Sequence, residues 1–516
     1  MLSNSEYKNT GKSLIKKSIG ISILVSIGKM LGFLKQAVIA WAFGANALTD
    51  LYFAADSFVV MFGQIEHASI APAVLTGYIH LKENKKNSLA NYFIRKCYVY
   101  FPIIALCIIA IILLFTEPIS AVLGISYSYE DRQMLQKLII YLCPVILFSS
   151  FSAVSQGILE GNEKFFPTSL LSLFFSISVI VFVIAFRQTL GIFSLLLGFL
   201  VGYGSHTILV TILAKKYYSF GRFLNKNMSF SSVLRITLPL VIGNSMVDIG
   251  HLVDRIIASS LPNGSISFLY YGQVVSNDII NAIIITSVGT VMFPSFTKMV
   301  ASGNNEERLV DSINRVVCVM TTLLIGIMGL YVVEGNDLVK IFFERGNFSN
   351  QSTEHVTRIA ICYSFGFVFI AIREVLTKVY YAFQDTTTPM RNGIIGVIIN
   401  ILLSWLLSRC CETVGIALAT SISMAVVAFL MLFSARKLFK RYLMPIGFWK
   451  SFFESALSVS ISSLIGFELR RLLISMNIVF RMVLISSTFL MCYICALVIF
   501  NHDAIKILKE LRSGVR

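Results

Sequence analysis

Asn244, Asp248, His251 and Arg255 fall at i, i+4, i+7 and i+11, which is one face of one helix. An amide, a carboxylate, an imidazole and a guanidinium on one stripe can grip an anionic headgroup, ligate a cation or neutralise one another. Near the start of the chain, Ser22, Ser26, Lys29 and Gln36 share a side, with Lys35 about 100° from Gln36. That pattern suits a cationic wall for an anionic headgroup, or lysines snorkelling from a helix end. Glu374, Lys378, Tyr381 and Asp385 repeat the first spacing, and Glu374 and Lys378 are ordered for an i,i+4 ion pair. Asp385 opens a turn that leads to Pro389, so helix capping competes there with cation ligation. Asp50, Asp56, Glu66 and His67 form a fourth group, in which Asp56 and His67 share a face and Asp50 sits where a helix cap would.

The elements that must carry these groups are apolar. Of 516 residues, 56% are hydrophobic and 14% charged, where a soluble chain has about one quarter charged. The mean hydropathy is +0.78. There is too little polar surface to cover a water-facing globule, which excludes a cytosolic enzyme, a disordered scaffold and a secreted disulfide module. Long unbroken apolar runs exclude a transmembrane barrel. The fold class is an all-α polytopic membrane protein, and an ionisable group at mid-bilayer costs ~2.5–3.5 kcal/mol on insertion scales, so it faces a cavity, a partner or a pathway.

Spans of about 20 residues are predicted at 14–42, 47–80, 90–116, 134–158, 165–187, 190–213, 230–260, 266–297, 312–333, 355–383, 389–408, 413–435, 447–467 and 482–500. With the N-terminus inside, the inner loops hold 28 Lys and Arg, the outer loops nine, and the spans six. This bias predicts that both termini are cytoplasmic, with the loop near 468–481 basic on the outer side; the expected location is the inner membrane of the cell. The net charge of +16 therefore reflects topology and lipid headgroups, and no nucleic-acid partner is expected. The nine cysteines read as small buried hydrophobes, including Cys492 and Cys495, so no redox or metal centre is expected. The first run carries Lys29 and Lys35 and lacks a cleavage-like end, so it is not a signal peptide. Gly11-Lys12-Ser13 mimics a phosphate loop, but Glu6 stands where glycine is needed and no strand precedes it. Without a nucleotide-hydrolysing domain, transport would draw on Na+, H+, the membrane potential or the substrate gradient.

An internal repeat sets the domain plan. A shift of 218 residues lays the stretch from Leu34 over that from Leu252, and a shift of 222 lays Pro167 on Pro389. Both halves then point the same way, the parallel type of transporter repeat. The predicted division is an N-lobe over 1–225, a C-lobe over 226–440, and two further helices with a tail over 441–516.

Gly28-Lys29-Met30-Leu31-Gly32-Phe33, Phe43-Gly44-Ala45, Thr49-Asp50 and Tyr52-Phe53 resemble the first two helices of the MurJ (MviN) lipid II flippase family. Leu252-Val253-Asp254-Arg255, Leu261 to Ser267 and Tyr270-Tyr271 resemble its seventh and eighth helices. Arg345-Gly346-Asn347-Phe348, Ser352-Thr353 and the segment from Tyr380-Tyr381-Ala382 to Thr388-Pro389 resemble the tenth and its exit turn. The resemblance implies a multidrug/oligosaccharidyl-lipid/polysaccharide exporter fold, with two six-helix lobes in a V around a central cavity. It matches Lys29 and Lys35 to basic cavity residues, Asp50 to an acidic residue of the second helix, Glu66 to a gate glutamate, and Asp248 and Asp385 to carboxylates of a sodium site. The family's Pro-Asn-Leu-Leu-Arg-Arg stretch is replaced around Phe58–Gln64, and its Asp-Arg after the tyrosine pair is Gln273-Val274.

The expected function is a flippase, not an enzyme. It would carry a polyprenyl-diphosphate-linked cell-wall precursor, lipid II first among them, to the outer leaflet by alternating access. The expected substrate-binding set is Lys29, Lys35, Asp50, Ser26, Asn244, His251 and Arg255. Expected partners are the lipid-linked glycan, membrane lipids and cell-wall synthesis proteins. Alternatives are a flippase for another lipid-linked oligosaccharide, a cation-coupled multidrug exporter and a membrane scaffold.

Overall fold

The computed structural model describes residues 4–83, 87–218, 231–281, 292–293, 295–300, 306–439, 443 and 446–513. It divides into two compact units, Met1–Gly264 and Ser265–Arg516.

Unit 1 runs through α1 (Asn4–Phe43), α2 (Ala47–Glu83), α3 (Asn87–Leu114), α4 (Thr116–Leu123), α5 (Tyr129–Leu142), α6 (Pro144–Glu160), α7 (Phe165–Thr168), α8 (Leu171–Leu190), α9 (Phe193–Ala214) and α10 (Ser231–Ala258). One part of its core joins Ile70 and Val74 of α2 to Phe93, Ile94 and Phe101 of α3, Val154 and Ile158 of α6, and Val210 of α9. The α1–α8 seam is close at Gly28, where a Cβ would collide with Ser172 Oγ, and at Gly32 a Cβ would just touch Ser176 Oγ. Such spacing lets two backbones approach closely in lipid, where packing rather than the hydrophobic effect joins helices.

Unit 2 contains α11 (Ser265–Gln273) and a π-helical turn (Val274–Asp278), then α12 (Glu306–Phe343), α13 (Asn350–Ser364) and α14 (Phe367–Ala382). It continues with α15 (Thr387–Phe439), α16 (Ile446–Leu472), α17 (Ile478–Ile499) and α18 (Asp503–Ser513). The hydroxyl of Tyr331 donates to the carbonyl of Val275, satisfying the backbone where the π-turn disturbs the helical ladder. Helix α12 anchors α16 and α17: Gly329 meets Phe489 and Val459, Gly326 meets Tyr493, and Tyr493 donates to the Thr322 carbonyl at 2.7 Å.

Among the described residues, ten helices are long and apolar enough to cross a membrane, and the bent pair α13 and α14 makes eleven. Helix α15 holds non-helical backbone at Cys411 and Glu412, so it is two helices across a kink, at the place where the spans 389–408 and 413–435 were expected to meet. Helix α10 covers the expected span 230–260, and much of the span 266–297 lies outside the described residues. These correspondences are consistent with fourteen crossings.

Left-handed residues stand in the turns that the sequence repeat pairs: Gly44 (φ 72°) and Gly264 (φ 95°) in one pair, and Glu163 (φ 58°) and Gln384 (φ 61°), shortly before Pro167 and Pro389, in the other. The packing boundary at 264 differs from the repeat boundary at 226 because α10 packs along α2 and against α4, which joins it to unit 1.

Candidate functional site

In unit 1, α1, α2 and α10 bring their charged groups to one region. Lys35 is 8% exposed, and its Nζ lies 4.0 Å from the centroid of the Phe175 ring on α8. Phe175 in turn packs edge-on to Phe199 and Tyr203 of α9, which stack on each other with centroids 5.0 Å apart. A cation on a ring face is held electrostatically without losing its charge. Asp56, on α2, lies in the fields of Arg255 and Lys35. Its Oδ1 is buried and has no hydrogen-bond partner. Arg255 also faces Asp248 and His251 along α10 electrostatically, as their shared stripe requires.

The expected residues separate on inspection. Lys35, Arg255, His251 and Asp248 gather within unit 1, and Asp56, which the expected set omits, joins them. Lys29 and Ser26 are exposed on α1. Gly28, Gly32 and Lys35 occupy i, i+4 and i+7, so the face that α1 turns toward α8 carries Lys35, and Lys29 lies about 100° around from Gly28. The glycine pair was the sequence signal that ranks the two lysines. Asn244 is on α10, but its side chain lies outside the described ones, as does that of Ser22.

Asp50 is 3% exposed and does not cap α2. Asn46 does, accepting the Leu48 and Thr49 N–H groups at 3.0 and 3.1 Å, while Thr49 Oγ1 accepts the Asn46 N–H at 2.8 Å. Asp50 is thereby left to accept the Gly264 N–H at 2.6 Å, tying the end of the α10 exit loop to the start of α2. Glu66 is buried on α2, and its Oε2 has no hydrogen-bond partner.

In unit 2, Lys378 and Glu374 form the expected pair at 3.1 Å. Asp385 caps α15: Oδ1 accepts the Thr387 N–H at 3.0 Å, the Thr387 hydroxyl at 2.9 Å and the Thr388 N–H at 3.0 Å, and Oδ2 accepts the Thr388 hydroxyl at 2.6 Å. Partial burial would raise this carboxyl, but the bonds from Thr388 and Thr387 outweigh it and hold the group below its ordinary range. Among the described residues, no three His, Cys, Asp or Glu side chains gather as a metal site. Asp385 has both oxygens engaged in capping.

A second ionic cluster in unit 2 explains the basic loop near 468–481. Asp337 of α12 binds Arg470 of α16 at 3.0 Å and Arg481 of α17 at 2.7 Å, and its side chain is 2% exposed. Arg470 also donates to the Val333 carbonyl, and Arg481 to that of Ile474. Glu334, one turn earlier, is buried in the field of both guanidiniums. These arginines are engaged by a carboxylate more than a hundred residues upstream, which local sequence cannot reveal.

The sequence model described as lipid II flippase MurJ matches residues 39–492. The chain belongs to the MurJ family. It is 26% identical over 427 residues to the probable lipid II flippase MurJ of Buchnera aphidicola subsp. Schizaphis graminum, covering 81% of this chain and 82% of that protein. It is also 26% identical over 402 residues to the probable lipid II flippase MurJ of Aquifex aeolicus, covering 76% and 77%. Among solved structures, a lipid II flippase MurJ in an inward closed conformation superposes with a TM-score of 0.79 at 24% identity, covering 94% of this chain and 100% of that one. An inward-facing multidrug resistance MATE family transporter of the MOP superfamily superposes with a TM-score of 0.62 at 12% identity, covering 81% and 98%. The MurJ family fold thus extends over nearly all of this chain, and the MATE likeness is one of fold.

Proposed function

We propose that this chain is a flippase for a polyprenyl-diphosphate-linked cell-wall precursor, with lipid II the first candidate, moved from the cytoplasmic to the outer leaflet. Family membership supports the reading, and so does the site chemistry: Lys35 and Arg255 bring two cations to the region of Asp56. A diphosphate is the headgroup feature that two such cations recognise, while the polyprenyl tail stays in lipid. Alternate exposure of this polar face to the two compartments carries the headgroup across, and no covalent chemistry is needed. Moving one charge through ~100 mV is worth ~2.3 kcal/mol, enough to bias the cycle. The reading places the protein in the inner membrane with both termini cytoplasmic, among membrane lipids and the proteins of cell-wall synthesis.

One observation favours a second glycan. Gln273-Val274 and the Phe58–Gln64 stretch lack the charged residues that the family motif carries there, so the cationic set is thinner than that motif provides. Another polyprenyl-linked oligosaccharide would be read by the same diphosphate chemistry.

The test is transbilayer movement of fluorescent lipid II in vesicles containing the purified protein. Lys35→Ala is expected to lower the initial rate at least tenfold, since one charge-assisted bond is worth about 1.5–3 kcal/mol. Lys35→Arg should keep most of the rate, and Lys29→Ala should cost less than Lys35→Ala. An unchanged rate in Lys35→Ala would overturn the assignment of this lysine. Movement of a different lipid-linked glycan, with lipid II left in place, would select the second reading.

A further inference from the structure

Two of the six histidines meet on one hydroxyl inside unit 1. His67 Nε2 lies 3.4 Å from Ser152 Oγ, and Ser152 Oγ lies 3.5 Å from His206 Nδ1. His206 Nε2 lies 3.2 Å from the carbonyl of Pro167. The path joins α2, α6, α9 and α7; Ser152 and His206 are each 1% exposed, while His67 is half-buried.

The tautomers follow from the partners. A carbonyl only accepts, so His206 Nε2 carries hydrogen and donates to Pro167. In the neutral ring Nδ1 then accepts, so the Ser152 hydroxyl donates to it. Ser152 Oγ in turn accepts from the Nε2–H of His67. Every link points the same way, from the half-buried histidine to the buried one. Ser152 carries no charge, and its role in packing needs no second histidine.

We propose that His67, Ser152 and His206 form a proton relay, and that proton movement through it couples to the cycle of this transporter; the coupling half rests on the flippase reading. A proton from water binds His67 Nδ1. The Nε2 proton of His67 passes to Ser152 Oγ, and the former hydroxyl proton of Ser152 passes to His206 Nδ1. The serine hydroxyl is restored, His67 is left neutral with hydrogen on Nδ1, and His206 holds the added charge against the Pro167 carbonyl. Helices packed against α2 and α6 bring other titratable groups, namely Tyr98 on α3 and Asp248 and His251 on α10, while Glu66 precedes His67 on α2. Tyr98 is engaged with Ser155 at 2.8 Å, and His206 lies near enough to His67 for the two rings to interact electrostatically. The carbonyl that receives His206 belongs to the Pro167 turn, one of the bends repeated between the units, so charging His206 acts on a defined joint of the fold.

Two measurements test this. In vesicles with the membrane potential clamped, a pH gradient should redistribute fluorescent lipid II between leaflets by up to about tenfold per pH unit for one coupled proton. Ser152→Ala should equilibrate the lipid at the wild-type rate without a gradient and lose the redistribution, and His206→Gln should lose it as well. A wild type that flips but ignores the gradient, or a Ser152→Ala variant that keeps the full response, would overturn the coupling. The second measurement needs no transported lipid: nitrogen-15 spectra of the histidine side chains in the purified protein. The relay predicts that His67 and His206 titrate as a linked pair, both with Nε2–H in the neutral form, and that Ser152→Ala separates them. Independent titrations in the wild type would overturn the relay even where lipid is flipped. Absence of any lipid movement combined with a linked titration would refute the flippase reading and the coupling, leaving the relay as a proton site.

Discussion

Asp56 in unit 1 has Lys35 and Arg255 in its field, and Asp337 in unit 2 has Arg470 and Arg481. Each region sets two cations beside an aspartate on a membrane helix, with a second carboxylate in reach (Asp248 in unit 1, Glu334 in unit 2), yet the two aspartates are finished differently. Both oxygens of Asp337 are taken, at 3.0 and 2.7 Å, by guanidiniums that also bond backbone carbonyls. Asp56 Oδ1 is buried without a hydrogen-bond partner, and Lys35 lies on an aromatic face. A closed cluster holds helices together, here α16 and α17 to α12. An open one retains the capacity to bind something else. Charged residues in a membrane helix therefore do not reveal their duty by type; the geometry around Asp337 and Asp56 separates the two.

The largest expected effect breaks the closed cluster. Asp337→Ala leaves two partly buried guanidiniums without their carboxylate and should cost about 3–5 kcal/mol, read as a lowered unfolding midpoint in detergent. Arg481→Ala should cost less, since Arg470 remains to pair with Asp337. The α1–α8 seam sharpens the comparison from the other side. Gly28→Leu forces a side chain into Ser172 and should cost about 1–3 kcal/mol, while also moving Lys35 relative to Phe175, so flipping and stability fall together. Ser172→Gly should restore part of both.

The smallest effect is at Asp385, whose carboxyl is held below its ordinary range in the folded protein. A depressed carboxyl stabilises above its unfolded value, and that contribution is lost as pH falls through the folded value. Asp385→Ala should therefore cost about 1 kcal/mol of stability at neutral pH, as for a lost cap. The gap between variant and wild-type unfolding midpoints should close only below the ordinary carboxylate range. A gap that is constant with pH would assign the effect to packing.

Much of this was legible in the chain. The apolar runs set the spans because a bilayer demands their length, and the α10 stripe appeared because helical spacing is local. The order of Lys29 and Lys35 depended on which face α1 turns to α8, and Gly28 and Gly32 carried that information as a small-residue seam. Asp50 could be read as a cap or as a site; Asn46, four residues earlier, takes the cap and leaves Asp50 to hold Gly264. The partners of Arg470 and Arg481, and the meeting of His67 with His206, required the fold itself. Their separations exceed one hundred residues, and no local pattern encodes them.

The most direct test measures lipid II movement and unfolding midpoint together for Lys35→Ala and Asp337→Asn. An open cluster in unit 1 and a closed one in unit 2 predict opposite failures: Lys35→Ala should lose flipping while its midpoint stays within about 1 kcal/mol of wild type, and Asp337→Asn should lose stability. Wild-type flipping by Lys35→Ala, or a loss of stability there as large as at Asp337, would contradict the assignment of the unit 1 cluster as the headgroup site.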